Sequence, residues 1–247
     1  MASSSFLKDK NAVITGGSGT IGLGMAQALL SEGCNVYITG RSQPKLDAAI
    51  SKLDFDEGYG KIFTLEADCT SEKSVIKDIF GKVEVDLLIN NAGTSIIQKT
   101  EDLPVEAFKK VMDVNVNAPF LCSREAIKQM KSRNNGGRII NIGSISAISS
   151  RKDSAAYTTS KFALLGLTHS LALDCRDHNI AVGIIHPGNV ISDLLSPTEV
   201  ERRENEEGFM QYEDVAKAVV TIASLPYHTN IFELTVIPTK QPLIGRG

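Results

Sequence analysis

The sequence predicts a doubly wound α/β domain, a parallel sheet with helices packed on both of its faces. Three observations carry that expectation. Short apolar runs alternate with longer amphipathic segments along the whole chain. The runs are apolar at consecutive positions, as strands buried on both faces are, and do not alternate with period two. The first run leads into a glycine cluster that opens a helical stretch. At 247 residues the chain is long for an average domain, but α/β folds often reach this size as one unit, so one domain over 1–247 is expected.

The elements follow in order. Ala12-Val13-Ile14 is the first strand candidate, and the helical stretch Gly24 to Glu32 follows the glycines. Val36-Tyr37-Ile38 is the second strand, followed by helical Lys45 to Leu53. Ile62-Phe63-Thr64-Leu65 is the third, followed by Glu72 to Phe80. Leu87-Leu88-Ile89 is the fourth, followed by a long helical stretch from Val105 to Lys131. Arg138 to Ile142 is the fifth, followed by Ala155 to Arg176. Ala181 to Ile185 is the sixth. After it come a polar stretch, Leu194 to Gly208, then helical Tyr212 to Leu225 and a seventh strand, Leu234 to Ile237. A polar loop of that length is either a surface segment or a lid over a site.

Composition excludes several classes. Hydrophobic residues are 42% and charged residues 22% of the chain, which rules out global disorder. A net charge of −3 gives no electrostatic footprint for nucleic acid or an anionic membrane. No run of apolar residues is long enough to span a bilayer, and Met1 to Lys10 lacks the apolar core of a signal peptide. Cys34, Cys69, Cys122 and Cys175 form no CxxC pair, and the four histidines form no ligand pattern, so no metal site is expected. Reduced thiols without an export signal fit the cytoplasm.

Thr15-Gly16-Gly17-Ser18-Gly19-Thr20-Ile21-Gly22 lies between the first strand and the first helix. Glycines there permit a tight turn and close approach of backbone N–H groups to a pyrophosphate, and the helix N-terminus adds partial positive charge. A plain strand–helix turn would use similar residues, so position carries the weight. The second strand ends in Thr39-Gly40-Arg41-Ser42, without the acidic side chain that an NAD ribose usually meets. Arg41 is placed to pair with the 2′-phosphate of NADP instead, the alternative being a solvated arginine.

Tyr157 and Lys161 are four residues apart in a helical stretch and share a face. A nearby ammonium stabilises a phenolate, which lets a tyrosine exchange a proton near neutrality. Alone, the pair also fits a surface helix with a snorkelling lysine. Ser144 just follows the fifth strand, where α/β proteins bind ligands, and it lacks the GxSxG setting of a hydrolase nucleophile. Asn115 is a mediocre helix former inside a long helical stretch, where a polar residue can interrupt the backbone ladder.

These motifs, in this order over nearly the whole chain, resemble the short-chain dehydrogenase/reductase family. Thr15 to Gly22 resembles its TGxxxGxG loop, Asn90-Asn91-Ala92-Gly93 its NNAG motif, and Pro187-Gly188-Asn189-Val190-Ile191-Ser192 its PGxVxT segment. Asn115, Ser144, Tyr157 and Lys161 fall at the family's catalytic tetrad, with the usual thirteen residues from Ser144 to Tyr157. The resemblance implies a single-domain Rossmann fold with a seven-stranded parallel sheet in the order 3-2-1-4-5-6-7. It implies an oxidoreductase acting on a small carbonyl or alcohol, with NADP(H) preferred and NAD(H) the alternative. Tyr157 would be the acid–base. Lys161 would assist it and bind the nicotinamide ribose. Ser144 would orient the substrate oxygen, and Asn115 would hold a water of the proton relay.

The cofactor would lie against Gly16, Ser18, Thr20, Ile21 and Gly22. It would also meet Arg41 and Ser42 at its 2′-phosphate, Asp68 and Cys69 near the adenine, and Asn91, Ala92 and Gly93. Pro187, Gly188, Val190 and Ser192 would hold the carboxamide. Leu194 to Gly208 would be the substrate loop. The partner chains would be copies of the same chain, in a homodimer or homotetramer built on the Val105 to Lys131 and Ala155 to Arg176 helices. Two departures stand out: Thr20 replaces the middle glycine of the loop, and Gly19 replaces the basic residue of many NADP-preferring relatives. A different class, a dinucleotide-binding sensor without turnover, is the competing expectation, and the complete tetrad argues against it.

Overall fold

A computed structural model describes residues 5–243, apart from 55, 57 and 192–196. Seven strands form its centre: β1 (Asn11–Thr15), β2 (Asn35–Gly40), β3 (Ile62–Glu66), β4 (Leu87–Asn90), β5 (Gly137–Ile142), β6 (Ile180–Pro187) and β7 (Glu233–Val236). They pair in the order β3-β2-β1-β4-β5-β6-β7, every pair parallel. The strand order reverses between β1 and β4, and a crevice opens beyond their carboxyl ends. The order is the one that the family resemblance implied.

Side chains alternate between two cores, as strand geometry requires. Ala12 and Ile14 of β1 face one apolar cluster and Val13 the other. The first cluster is covered by α1 (Thr20–Ser31), α2 (Gln43–Ile50) and α8 (Tyr212–Ala223). The second is covered by α5 (Ala118–Arg133), α6 (Ala155–Cys175) and the helix that starts as α3 (Glu72–Ser74) and continues as a π-helical turn, Val75–Phe80. Every residue of β5 and β6 is buried, which explains why their apolar residues run together without period-two alternation. Truncating a fully buried side chain such as Ile89 to alanine costs about 2–5 kcal/mol. The edge strands β3 and β7 have one neighbour each, and each exposes two residues: Phe63 and Glu66 in β3, Glu233 and Thr235 in β7.

Arg138 is the one charge deep in β5. Its guanidinium donates to the carbonyls of Leu225 (2.9 Å), Pro226 (3.2 Å) and Thr229 (2.9 Å), and burial brings its pKa down to about 10.

Two expectations change in detail. The long helix expected from Val105 to Lys131 is α4 (Val105–Met112), a π-helical turn (Asp113–Asn117) and α5. The turn centres on Asn115, whose side chain bonds outside the helix. The polar stretch 194–208 contains a helix, α7 (Pro197–Glu206), where an irregular loop was expected. Proline suits a first helical position, and glutamate and arginine are good helix formers, so polarity there did not mean irregularity. Ser192, Leu194 and Leu195 lie outside the described residues. No helix among the described residues is long and apolar enough to cross a membrane.

Candidate active site

A cleft of about 1240 Å³ lies over the carboxyl ends of the strands. Its floor begins with the turn after β1. Gly16 has φ +64°, and a Cβ there would stand 2.8 Å from the Ala92 Cα, so the turn needs glycine for both conformation and space. The Asn90 to Gly93 segment clamps this turn from the β4 side. Thr15 Oγ1 accepts from the backbone N–H groups of Asn91 and Ala92, each at 3.0 Å. Asn91 Nδ2 donates to the carbonyls of Thr15 (3.0 Å) and Gly16 (3.1 Å).

The N-terminus of α1 opens on the cleft. Its N-cap, Gly19, supplies no side-chain cap, and no acidic residue sits in the first turn. An uncapped helix start with a positive dipole end fits a diphosphate. Thr20 is the first helical residue after an extended Gly19, so it needs no left-handed conformation; its side chain borders the cleft.

At the end of β2, Arg41, Ser42 and Lys45 border the same cleft. Two cations and a hydroxyl suit a phosphate monoester, and no carboxylate of the β2 end competes for a ribose diol. Asp68 lines the adjacent wall. Its Oδ1 accepts from Thr70 N (3.0 Å) and Thr70 Oγ1 (2.7 Å), which fixes its orientation. Cys69 is beside it, and burial, with the Asp68 charge, pushes its thiol up, so it stays protonated.

The catalytic candidates gather at the other end. Tyr157 and Lys161 project from the first turns of α6, and Ser144 sits two residues past β5; all three line the cleft. Lys161 is 6% exposed, and its Nζ donates to the Ile142 carbonyl at 2.8 Å. The same Nζ lies 5.5 Å from the Tyr157 ring centroid. Burial lowers its pKa from 10.5 to about 8. Ser144 Oγ accepts from Ser146 N at 3.1 Å, capping the short turn Ile145–Ala147.

Beneath them runs a buried polar ladder. Asn90 Nδ2 donates to Ser123 Oγ (3.0 Å) and Asn141 Oδ1 (2.8 Å), and Asn141 Nδ2 donates to Thr168 Oγ1 (2.8 Å). It ties α5 and α6 to β4 and β5.

Asn115 stands apart: it is buried and does not border the cleft. Its Oδ1 accepts from Thr94 N (2.8 Å), and its Nδ2 donates to Thr94 O (2.9 Å) and Ser160 Oγ (2.9 Å). Both amide hydrogens are therefore used within the protein. Gly16, Ser18, Ile21, Gly22, Asn91, Ala92, Gly93, Pro187, Gly188 and Val190 border the cleft with the residues above.

Sequence reasoning left out Lys45, Arg151 and Asn189, which also line the cleft, and gave Glu207 only as part of the 194–208 loop. Lys45, four residues after Arg41, had a readable signal. Arg151 had none, and the pairing of Arg151 with Glu207 arises only through folding: Arg151 donates to Asn189 Oδ1 (2.9 Å) and pairs with Glu207 (3.6 Å). Among the described residues, no group of three or more histidine, cysteine, aspartate or glutamate side chains could hold a metal ion.

The comparisons agree with this geometry. The model of the short chain dehydrogenase family matches residues 10–203. The 3-oxoacyl-acyl-carrier-protein reductase FabG of Rickettsia conorii is 35% identical over 225 residues, covering 88% of this chain and 90% of that protein. The NADP-dependent (R)-specific alcohol dehydrogenase of Lentilactobacillus kefiri is 32% identical over 201 residues, 78% of each chain. The crystal structure of a short-chain type dehydrogenase/reductase from Mycobacterium marinum superposes with a TM-score of 0.85 at 26% identity, covering 95% of this chain and 97% of that one. The chain belongs to the short-chain dehydrogenase/reductase family. It is an oxidoreductase acting on CH–OH groups, in a family that binds NAD(P)(H).

Proposed function

We propose that this protein is an NADP(H)-dependent carbonyl reductase, or an alcohol dehydrogenase in the reverse direction. One observation carries the reading: Tyr157, Lys161 and Ser144 border the same cleft as the uncapped α1 terminus and the Arg41 end of β2. The nicotinamide cofactor, when bound, supplies or accepts hydride at the substrate carbon. Ser144 Oγ hydrogen-bonds the substrate oxygen. Tyr157 gives that oxygen its proton in reduction and takes it back in oxidation. The Lys161 ammonium favours the phenolate electrostatically and meets the nicotinamide ribose. Asn115 serves the proton relay through its backbone carbonyl or the second lone pair of Oδ1, because its amide hydrogens are engaged.

Arg41 and Ser42, with Lys45, hold the 2′-phosphate, which is the basis for preferring NADP(H) over NAD(H). Gly16, Ser18, Thr20, Ile21 and Gly22 hold the diphosphate. Asp68 and Cys69 hold the adenine, Asn91 to Gly93 the adjoining ribose, and Pro187, Gly188, Val190 and Ser192 the carboxamide. Residues 194–208 cover the substrate, and 1–247 act as one catalytic domain. Exposed Phe120, Phe162 and Leu173 on α5 and α6 support a homodimer or homotetramer through these helices. Four free cysteines support a cytoplasmic setting.

The test is a parallel titration of NADPH and NADH by fluorescence, then a panel of ketones and aldehydes followed at the cofactor's absorbance. Tighter NADPH binding with turnover is the expected result. Cofactor binding with no turnover across a broad panel favours the sensor, and binding of neither cofactor overturns the reading.

A further inference from the structure

The strand ladder no longer holds the chain where Ser144 sits, yet the proposed chemistry requires its hydroxyl to be fixed. Two groups from the end of β6 hold that stretch. Ile185 O accepts from Gly143 N at 2.7 Å. His186 Nδ1 lies 2.9 Å from the Ser144 carbonyl oxygen. The imidazole is completely buried and packs close to the backbone: a Cβ at position 143 would stand 2.7 Å from its Nδ1 and 2.9 Å from the Ile185 carbonyl oxygen, so glycine there makes room for the ring.

We propose that His186 is a positioning residue for Ser144, its neutral imidazole donating from Nδ1 to the Ser144 carbonyl and so fixing the peptide that carries the catalytic hydroxyl. The inference rests on the role of Ser144 in the proposed reductase.

The tautomer follows from the partners. A carbonyl only accepts, so Nδ1 carries the proton. His186 Nε2 is buried and has no hydrogen-bond partner among the described residues. A buried orphan acceptor is tolerated better than a buried orphan N–H, so the neutral Nδ1–H form is favoured over the imidazolium. Burial lowers the imidazole pKa. The bond to Ser144 and the Glu233 charge oppose that shift, and Lys161 and His169 add to it. The next residues, Pro187 and Gly188, form the cleft wall. One side chain thus couples the wall after β6 to the serine after β5. A packing histidine would fill the same space without needing its donor, and the two roles are separable.

Asparagine carries an amide N–H at the same position along the side chain as Nδ1, whereas leucine fills similar space without a donor. His186→Leu is expected to lower kcat about tenfold, the effect of one lost hydrogen bond on the transition state. Its cofactor affinity should remain within about twofold of wild type, because no diphosphate or 2′-phosphate group moves. His186→Asn should recover kcat to within about threefold of wild type. Long-range proton–nitrogen NMR of the wild-type protein should show the proton on Nδ1 from pH 6 to 8, whether or not any substrate is known. Equal kcat in the leucine and asparagine variants, or a proton on Nε2, would overturn the proposal. A wild-type protein inactive on every carbonyl would sink the reductase reading alone, and the NMR result would still decide the His186 bond.

Discussion

Replacing Lys161 with methionine isolates what its buried charge does. In the folded protein burial lowers the lysine pKa from 10.5 to about 8. At about 1.36 kcal/mol per pKa unit, the ammonium destabilises the folded state by roughly 3 kcal/mol relative to an exposed lysine. Between pH 8 and 10.5 the unfolded chain binds more protons at this site than the folded one, so stability rises with pH across that window. Below pH 8 both states are protonated and the full penalty applies. Methionine has similar length and no charge, so this pH dependence vanishes. It also leaves the Ile142 carbonyl without its donor, a constant loss that does not vary with pH. The assay is equilibrium urea unfolding of the cofactor-free protein at pH 7, 8, 9 and 10 and one protein concentration. Far-UV circular dichroism is the probe, because the chain has no tryptophan. From pH 7 to 10 the stability difference should move in favour of wild type by about 2.5 kcal/mol. Titrations of groups remote from Lys161, such as that of Cys34, cancel in the difference. Parallel stability curves would refute the claim that the lysine is buried as an ammonium at neutral pH.

Three further changes test the rest of the site. Tyr157→Phe should leave cofactor affinity unchanged and reduce kcat by about 10²- to 10⁴-fold, the usual weight of a general acid–base, measured by steady-state kinetics. Arg41→Ala should weaken NADPH at least about tenfold and NADH less than about twofold, as the loss of one charge-assisted contact to the 2′-phosphate predicts; equal weakening in paired titrations would remove that role. Gly22→Ala would place a Cβ 2.5 Å from the Gly16 carbonyl oxygen and 2.9 Å from Asn91 Nδ2. It should lower both the thermal midpoint and the affinity for either cofactor, and a variant that binds both normally would show that the turn yields freely.

The sequence made the central strands legible because β5 and β6 are buried at every position, so apolar residues run together there, with Arg138, Asn141 and His186 as buried polar exceptions. β7 was harder. It is an edge strand, and the structure starts it at Glu233, a residue that an apolar-run criterion passes over. The π-helical turn at Asp113–Asn117 was foreshadowed by Asn115 alone, since its cause is a pair of bonds to Thr94, twenty-one residues away. His186 read as one more scattered histidine, because nothing local reveals that the Ser144 carbonyl, forty-two residues earlier, waits beside it. The glycine loop was legible in outline, but Gly16 needs glycine for its positive φ, Gly22 needs it for space, and the substitution at Thr20 falls where the backbone is already helical.

The two halves of the cleft differ in how they are built, and that difference explains why the family was readable and the substrate is not. The cofactor half rests on strand ends locked by short bonds between neighbouring motifs, such as Thr15 with Asn91 and Ala92. Those motifs are contiguous in sequence, so their spacing survives as a signature. The half proposed for the substrate gathers side chains from four separate segments. Arg151, after β5, meets Asn189, after β6, and Glu207, just past α7. Glu207 Oε2 accepts in turn from Asn189 Nδ2 (2.8 Å) and from Gln241 Nε2 (3.0 Å), near the end of the chain. The Arg151 and Glu207 side chains are 24% and 19% exposed, so their ion pair is partly hydrated and contributes modestly to stability. Asn189 and Gln241 are buried, so the bonds around Glu207 run from a partly hydrated ion pair to a dry amide contact, Asn189 N donating to Gln241 Oε1 at 2.9 Å.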